Sequence, residues 1–180
     1  MTLKLAPVRS PLVLDRSVTG WDLNQFIYRD PAVTSRERSV DVGLIYVDLE
    51  LVSGDDIALQ ARGYVTEQEV RRTKIKALVD SGAYMLVINE KIKAQLGLRR
   101  VDARSAQLAD GTVVELEVAG PVEVKFKNRR TSVDAMVLPG DAEPLLGAIP
   151  MEDMDVLIDP KKQELIVNPA HPYMAQHSLK

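Results

Sequence analysis

Ala77-Leu78-Val79-Asp80-Ser81-Gly82-Ala83 is the stretch on which the reading of this 180-residue chain turns. An apolar run leads straight into a carboxylate, a hydroxyl and a glycine. Taken as a strand, with Ile75, Ala77 and Val79 on one face, it presents Asp80 at a buried strand end, where apolar surroundings disfavour the ionised form. Ser81 sets a donor and acceptor beside it, and Gly82 permits a tight turn and close approach by another chain or ligand. The same residues also make a plain turn closed by an Asx-type bond, and Asp-Ser-Gly alone is common. Locally, both readings stand.

The flanking sequence is written in strands. Ile45, Val47, Leu49 and Leu51 alternate with Tyr46, Asp48 and Glu50, the pattern of a half-buried strand. Ser53-Gly54-Asp55-Asp56 has turn composition, and Ile57, Leu59, Ala61, Gly63 and Val65 resume the alternation, which predicts a hairpin. Strands are expected at about 72–79 and 85–88. Asn89 is placed to cap a helix over 90–96 that Gly97 ends. Asp110-Gly111, between Gln107-Leu108 and Val113-Val114, is a strong hairpin signal. Long strands follow through Phe126, a turn at Asn128-Arg129-Arg130, and a strand at 132–138. A short helix after Gly147 reaches about Asp153, and short strands at 156–158 and 165–167 flank Asp159-Pro160-Lys161-Lys162. The fold class is mainly β, a small barrel or sandwich with one or two short helices.

Residues 1–40 contain Pro7, Pro11 and Pro31 and show no sustained period, so they read as an arm or linker. The domain is expected over 41–168, followed by a C-terminal tail at 169–180.

Composition removes several function classes. A net charge of −3 does not suit a protein devoted to a nucleic-acid backbone. The absence of cysteine excludes disulfides, thiolate metal sites and Cys nucleophiles. No apolar run approaches the roughly 18 residues of a membrane span, and the first twenty residues lack the apolar block of a signal peptide, so a cytoplasmic protein with no membrane partner is expected. No glycine-rich phosphate loop, HExxH helix or GxSxG elbow is present, and neither cofactor nor metal is expected. His171 and His177 fall in the tail around Pro172 and read as solvated. The basic run Arg71-Arg72-Thr73-Lys74-Ile75-Lys76 alternates along a strand and reads as a charged solvated face, with no nucleic acid as partner.

Asp80-Ser81-Gly82-Ala83, preceded by Leu78-Val79 and followed by a short strand, a helix and Leu96-Gly97-Leu98, resembles the catalytic motif of retropepsin-like aspartic proteases. Downstream, Pro144-Leu145-Leu146-Gly147 and then Met151-Glu152 are similar to that family's second motif, in which two apolar residues and a glycine pack behind the catalytic loop and open a helix. Ala109-Asp110-Gly111 falls where the family places its flap. Asp155-Val156-Leu157-Ile158-Asp159-Pro160 with Glu164-Leu165-Ile166-Val167 is similar to the end of bacterial single-domain members. Tyr84 departs from the pattern, which carries a small or polar residue there, and bears on specificity.

The resemblance implies a small closed β-barrel and an aspartic endopeptidase. Its catalytic residue would be Asp80, its loop support Ser81, Gly82, Ala83, Leu145, Leu146 and Gly147, and its flap and substrate contacts Ala109, Asp110, Gly111 and Tyr84. The chain holds one such motif, and the chemistry needs two carboxylates around one water, so a symmetric homodimer acting on an extended peptide is implied. Two carboxylates about 3 Å apart repel by roughly 5 kcal/mol at an effective dielectric of 20, so the pair would share one proton. The alternative is a catalytically silent peptide-binding or dimerisation module of the same fold.

Overall fold

The computed structural model describes residues 43–107 and 113–177. The expected arm at 1–40 and the flap residues Ala109, Asp110 and Gly111 lie outside them.

Among the described residues, nine strands and three short α-helices follow in chain order: β1 (Tyr46–Ser53), α1 (Gly54–Ala61), β2 (Arg72–Val79), β3 (Leu86–Asn89), α2 (Glu90–Leu96), β4 (Arg99–Gln107), β5 (Val113–Phe126), β6 (Arg129–Leu138), β7 (Leu145–Leu146), α3 (Ala148–Asp153), β8 (Val156–Asp159) and β9 (Glu164–Val167). The large sheet runs β1-β2-β7-β3-β6-β5-β4, and β5 also pairs with β1. That last pairing, Glu50↔Lys125 to Ser53↔Val122, closes six strands into a ring and leaves β4 outside it. Closure removes two free edges, and a single strand achieves it because β5 changes partners along its length. Its residues 113–120 pair with β4 and its residues 122–125 with β1. The fold is thus mainly β, a small closed barrel. β8 and β9 form a separate antiparallel pair.

The core follows the alternation. Val47, Leu49 and Leu51 of β1 are buried, as are Val122, Val124 and Phe126 of β5 and Ala135 and Val137 of β6. Leu86 and Ile88 of β3, Leu96 of α2 and Met154 at the end of α3 are fully enclosed. With aromatic residues scarce, the interior is largely aliphatic, each fully buried Val, Leu, Ile or Met side chain contributing about 1.5–3 kcal/mol. The well-punctuated helix forms where expected. The Asn89 side chain accepts from the Ile92 N–H at 3.0 Å, and Gly97 takes the left-handed conformation at φ +56°.

Three expectations are corrected. The stretch from Gly54 is a helix, not the second arm of a hairpin, which makes three α-helices among the described residues. Ser53 caps α1 by accepting from Asp56 N–H, and Asp55 and Asp56 occupy its first turn, where the helix dipole favours negative charge. Asp56 is buried and accepts from the Arg71 guanidinium, Nε at 2.7 Å, and from the Arg71 backbone N–H at 3.0 Å; the guanidinium above all holds its carboxyl below the usual range. Leu59 stays 39 % exposed, so the alternation there buries nothing, and β1 finds its antiparallel partner in β2. The turn after β5 is Lys127-Asn128, with Phe126 opposite Arg129, and Arg129 is buried as the first residue of β6. Lys127 supplies the positive φ, +51°.

The third correction concerns the tail. His171 is not solvated: its Nδ1 lies 2.7 Å from Asp155 Oδ2. The basic run divides: Arg71 pairs with the buried Asp56, while its lysines lie on an exposed strand face. Lys74 and Lys76 are exposed on β2 opposite Glu50 and Asp48 of β1, so cross-strand carboxylates balance that face.

Candidate active site

Asp80 follows β2 directly, and its loop is tied down by backbone rather than by side chains. Leu78 and Val79 run parallel to Leu145 and Leu146 of β7. The Leu78 N–H donates to Pro144 O at 2.9 Å, and the Asp80 N–H to Leu146 O at 3.1 Å. Beyond Asp80, the Ala83 N–H closes a turn on Asp80 O at 3.1 Å. The opening amides of α3 reach back across it, Ala148 N–H to Ala83 O at 2.8 Å and Ile149 N–H to Tyr84 O at 3.2 Å. Orphan donors at a helix N-terminus thereby satisfy the carbonyls of an irregular loop.

Gly147 is required by that approach. A Cβ there would stand 2.2 Å from Met85 O and 2.7 Å from Ala83 O, both backbone atoms. The pairing of an Asp-Ser-Gly-Ala loop with a Leu-Leu-Gly segment some sixty residues on, expected from resemblance, is therefore a physical contact. Leu146 is fully buried behind the loop, and Leu145 is half-buried opposite Val87.

The Asp80 carboxylate is left available. Gly82 N–H donates to Oδ1 at 2.8 Å, an Asx turn, and Oδ2 has no hydrogen-bond partner among the described residues. Asp80 is half-buried, while Ser81 and Gly82 are exposed. The apolar enclosure expected around Asp80 is thus not supplied by one chain: the loop's tip faces outward. Tyr84, 65 % exposed, also faces out. Next to it an open depression of about 240 Å³ is lined by Tyr84, Met85, Arg104, Val133, Asp134 and Ile149, among others, and excludes Asp80. Among the described residues no cluster of three His, Asp or Glu side chains could hold a metal ion.

Residues 66–152, which span both motifs, match the family model described as "gag-polyprotein putative aspartyl protease". This part of the chain is similar to retropepsin-like aspartyl proteases. Among solved structures, the retroviral protease-like domain of Ddi1 from Leishmania major is 22% identical, covering 70% of this chain and 89% of that one with a TM-score of 0.43. No curated protein matches the chain. The segment ends at Glu152, so β8, β9 and the tail lie beyond the retropepsin-like match.

One constellation beyond it escaped the sequence reading. Asp155 Oδ1 accepts from Asn168 Nδ2 at 2.7 Å, and Oδ2 faces His171 Nδ1 at 2.7 Å and the Gln176 N–H at 3.2 Å. An ionised carboxylate only accepts, so Nδ1 carries the proton. These donors, the Asn168 amide first, hold the Asp155 carboxyl down at about 2. Nothing in the spacing of Asp155, Asn168, His171 and Gln176 marks them as partners.

Proposed function

We propose that the protein is an aspartic endopeptidase in which Asp80 from each of two copies activates one water against the scissile carbonyl of an extended peptide. The observation that carries this reading is the Asp80 carboxylate itself, half-buried beside the exposed Ser81 and Gly82, with one oxygen unpartnered among the described residues, on a loop that backbone contacts with Leu146 and α3 hold in place. A carboxylate left open on a rigid support is what a proton-transferring group needs. The match of residues 66–152 to an aspartyl protease family model supports this reading.

Two copies are required because the chain has one Asp-Ser-Gly-Ala. Across a two-fold axis the loop tips would face each other, with the exposed Ser81 hydroxyls free to bond between them. The enclosure that a single chain lacks would then come from the partner. Two carboxylates brought that close hold one proton between them, the ionised one taking a proton from water and the protonated one polarising the carbonyl. Ala109, Asp110 and Gly111 would close over the peptide. The domain is proposed to span 41–168.

The test is cleavage of a diverse peptide mixture between about pH 4 and 7, the range a proton-sharing pair can work in, by the natural chain and by Asp80→Asn. Loss of cleavage in the variant, with a rate rising faster than linearly in enzyme at low concentration, is the expected result. Equal cleavage by both would remove Asp80 from the mechanism. Peptide binding without cleavage by a folded dimer would point to a silent binding module.

A further inference from the structure

α3 is six residues long, about 9 Å, too short to hold a helical position by its own propensity. Its place is set by what grips its ends. The first end grips the Asp80 loop through the Ala148 and Ile149 amides and the close seat of Gly147. The middle is pinned by buried Pro150 and Met151.

The other end is held by the C-terminal segment. Asp153 accepts from the Thr131 hydroxyl of β6, and the chain then turns at Asp155, which adopts φ +49°. The Asp155 N–H donates to Glu152 O at 3.0 Å, and Asp155 O accepts from the Asn168 N–H at 3.1 Å. Its side chain gathers Asn168, His171 and Gln176 as described. The same segment is fastened to the β5–β6 turn, where Asn128 Nδ2 donates to Pro172 O at 3.0 Å and Arg129 Nη2 donates to His171 O. Arg129 is 3 % exposed, and its Nε and Nη1 have no partners among the described residues, so the His171 carbonyl is its one described acceptor. The segment thus contributes the acceptor for a guanidinium that the closed structure keeps from water.

We propose that residues 168–176 form a clasp, closed on the Asp155 carboxylate, that fixes the far end of α3 and thereby the Asp80 loop at its near end. Asp155 is then a positioning residue that acts through α3. The structural coupling stands on the bonds alone; its bearing on catalysis rests on the reading of Asp80 above.

The experiment is amide hydrogen exchange on the full-length chain, comparing Asp155→Asn with the natural protein and with Asp56→Asn. Asparagine tolerates the left-handed backbone at 155 but offers one accepting oxygen in place of two. Asp56→Asn loosens the Arg71 contact at α1, away from α3, and serves as a control for general destabilisation. The expected result is exchange of the Ala148 and Ile149 amides at least about tenfold faster in Asp155→Asn and unchanged in Asp56→Asn, a local opening rather than a global one. Peptide cleavage by Asp155→Asn should show kcat lowered several-fold with KM unchanged. Normal protection of Ala148 and Ile149, with only the Gln176 amide loosened, would overturn the clasp even if the protein proves to be a protease. Faster exchange at those two amides without any cleavage would keep the clasp and count against the proposed activity. If Asp155→Asn does not fold, Asn168→Ala removes one donor from the same carboxylate and must shift the same two amides.

Discussion

Two aspartates stand on either side of α3 and differ in nearly every respect. Asp80, whose own N–H is bonded to Leu146 just before the helix, is half-buried and has, among the described residues, one donor on one carboxylate oxygen. Asp155, just after the helix, has three donors and is held ionised, its carboxyl at about 2. A carboxylate with both oxygens held by donors fixes structure and is poorly placed to take a substrate proton. One held by backbone contacts and left open at its tip is better placed to do so and adds little to the fold. The difference is one of partners, since the residue type is the same.

Exchanging each for asparagine separates the two roles most sharply. Asp80→Asn should lower peptide cleavage by about 10³-fold or more, in line with the loss of a general acid–base group. Its melting temperature should stay within about 2 °C of the natural chain, since the change removes no more than one exposed hydrogen bond. A large drop in melting temperature would show that Asp80 is structural after all and break the contrast.

The next effect concerns the glycines around the loop. Gly147→Ala sets a methyl against two carbonyl oxygens and should destabilise by about 1–3 kcal/mol, the usual cost of overpacking, while displacing the Asp80 loop enough to cut cleavage at least tenfold. Gly82→Ala meets only Asp80 Oδ1 at 3.2 Å, a side-chain atom able to give way. Its stability should change by less than about 0.5 kcal/mol. Urea unfolding of both variants checks the ordering, and equal losses would mean that the backbone seat of Gly147 is not the support inferred here.

What the sequence made legible follows the range of the forces involved. The Asn89 cap and Gly97 stop of α2, the bounds of β2, the helix after Gly147 and the β8–β9 pair all rest on local signals, and each forms at or within a residue or two of its expected place. The α1 stretch misled because Ile57, Leu59 and Ala61 happen to alternate. What decides it is the capture of Asp56 by Arg71, fifteen residues away. Barrel closure needed the pairing of β1 with β5, some seventy residues apart, which no local pattern encodes. Of the candidate site, the backbone contact between the Asp80 loop and Leu146-Gly147 was legible through resemblance; the outward exposure of Ser81, Gly82 and Tyr84 was not, because it depends on what one chain fails to cover. The Asp155 cluster was illegible for a similar reason. Its three partners, Asn168, His171 and Gln176, lie in a segment with no periodicity, and only the fold brings them to Asp155.

Acid titration sharpens the contrast on the stability side. An unfolded aspartate titrates near 3.9, and Asp155 in the folded chain near 2. The folded state therefore prefers the ionised form. The stabilisation is complete above about pH 4 and declines as pH falls toward about 2, where the folded group also takes its proton. Melting temperatures of the natural chain and Asp155→Asn should differ by a constant amount above about pH 5 and converge by about pH 2. The clasp would accordingly stay closed across the range in which a shared-proton pair works. A difference that is flat down to pH 2, or that grows in acid, would mean that the Asp155 charge contributes nothing to the clasp.

The smallest effect belongs to a third aspartate. Asp48 is exposed on β1 directly opposite Lys76, which also lies 5.2 Å from the Tyr46 ring centre. Water competes for both charges, so a double-mutant cycle of Asp48→Ala and Lys76→Ala should give a coupling of about 0.2–1 kcal/mol that shrinks in high salt. Cleavage should be untouched. A coupling above about 2 kcal/mol, or activity that follows Lys76, would mean that the basic run on β2 does more than balance its neighbours. It would also break the ordering of the three aspartates. As the bonds stand, Asp155 is held at both oxygens and structural, Asp48 is exposed and nearly neutral to the fold, and Asp80 lies between them, held firmly at its backbone and open at its carboxylate.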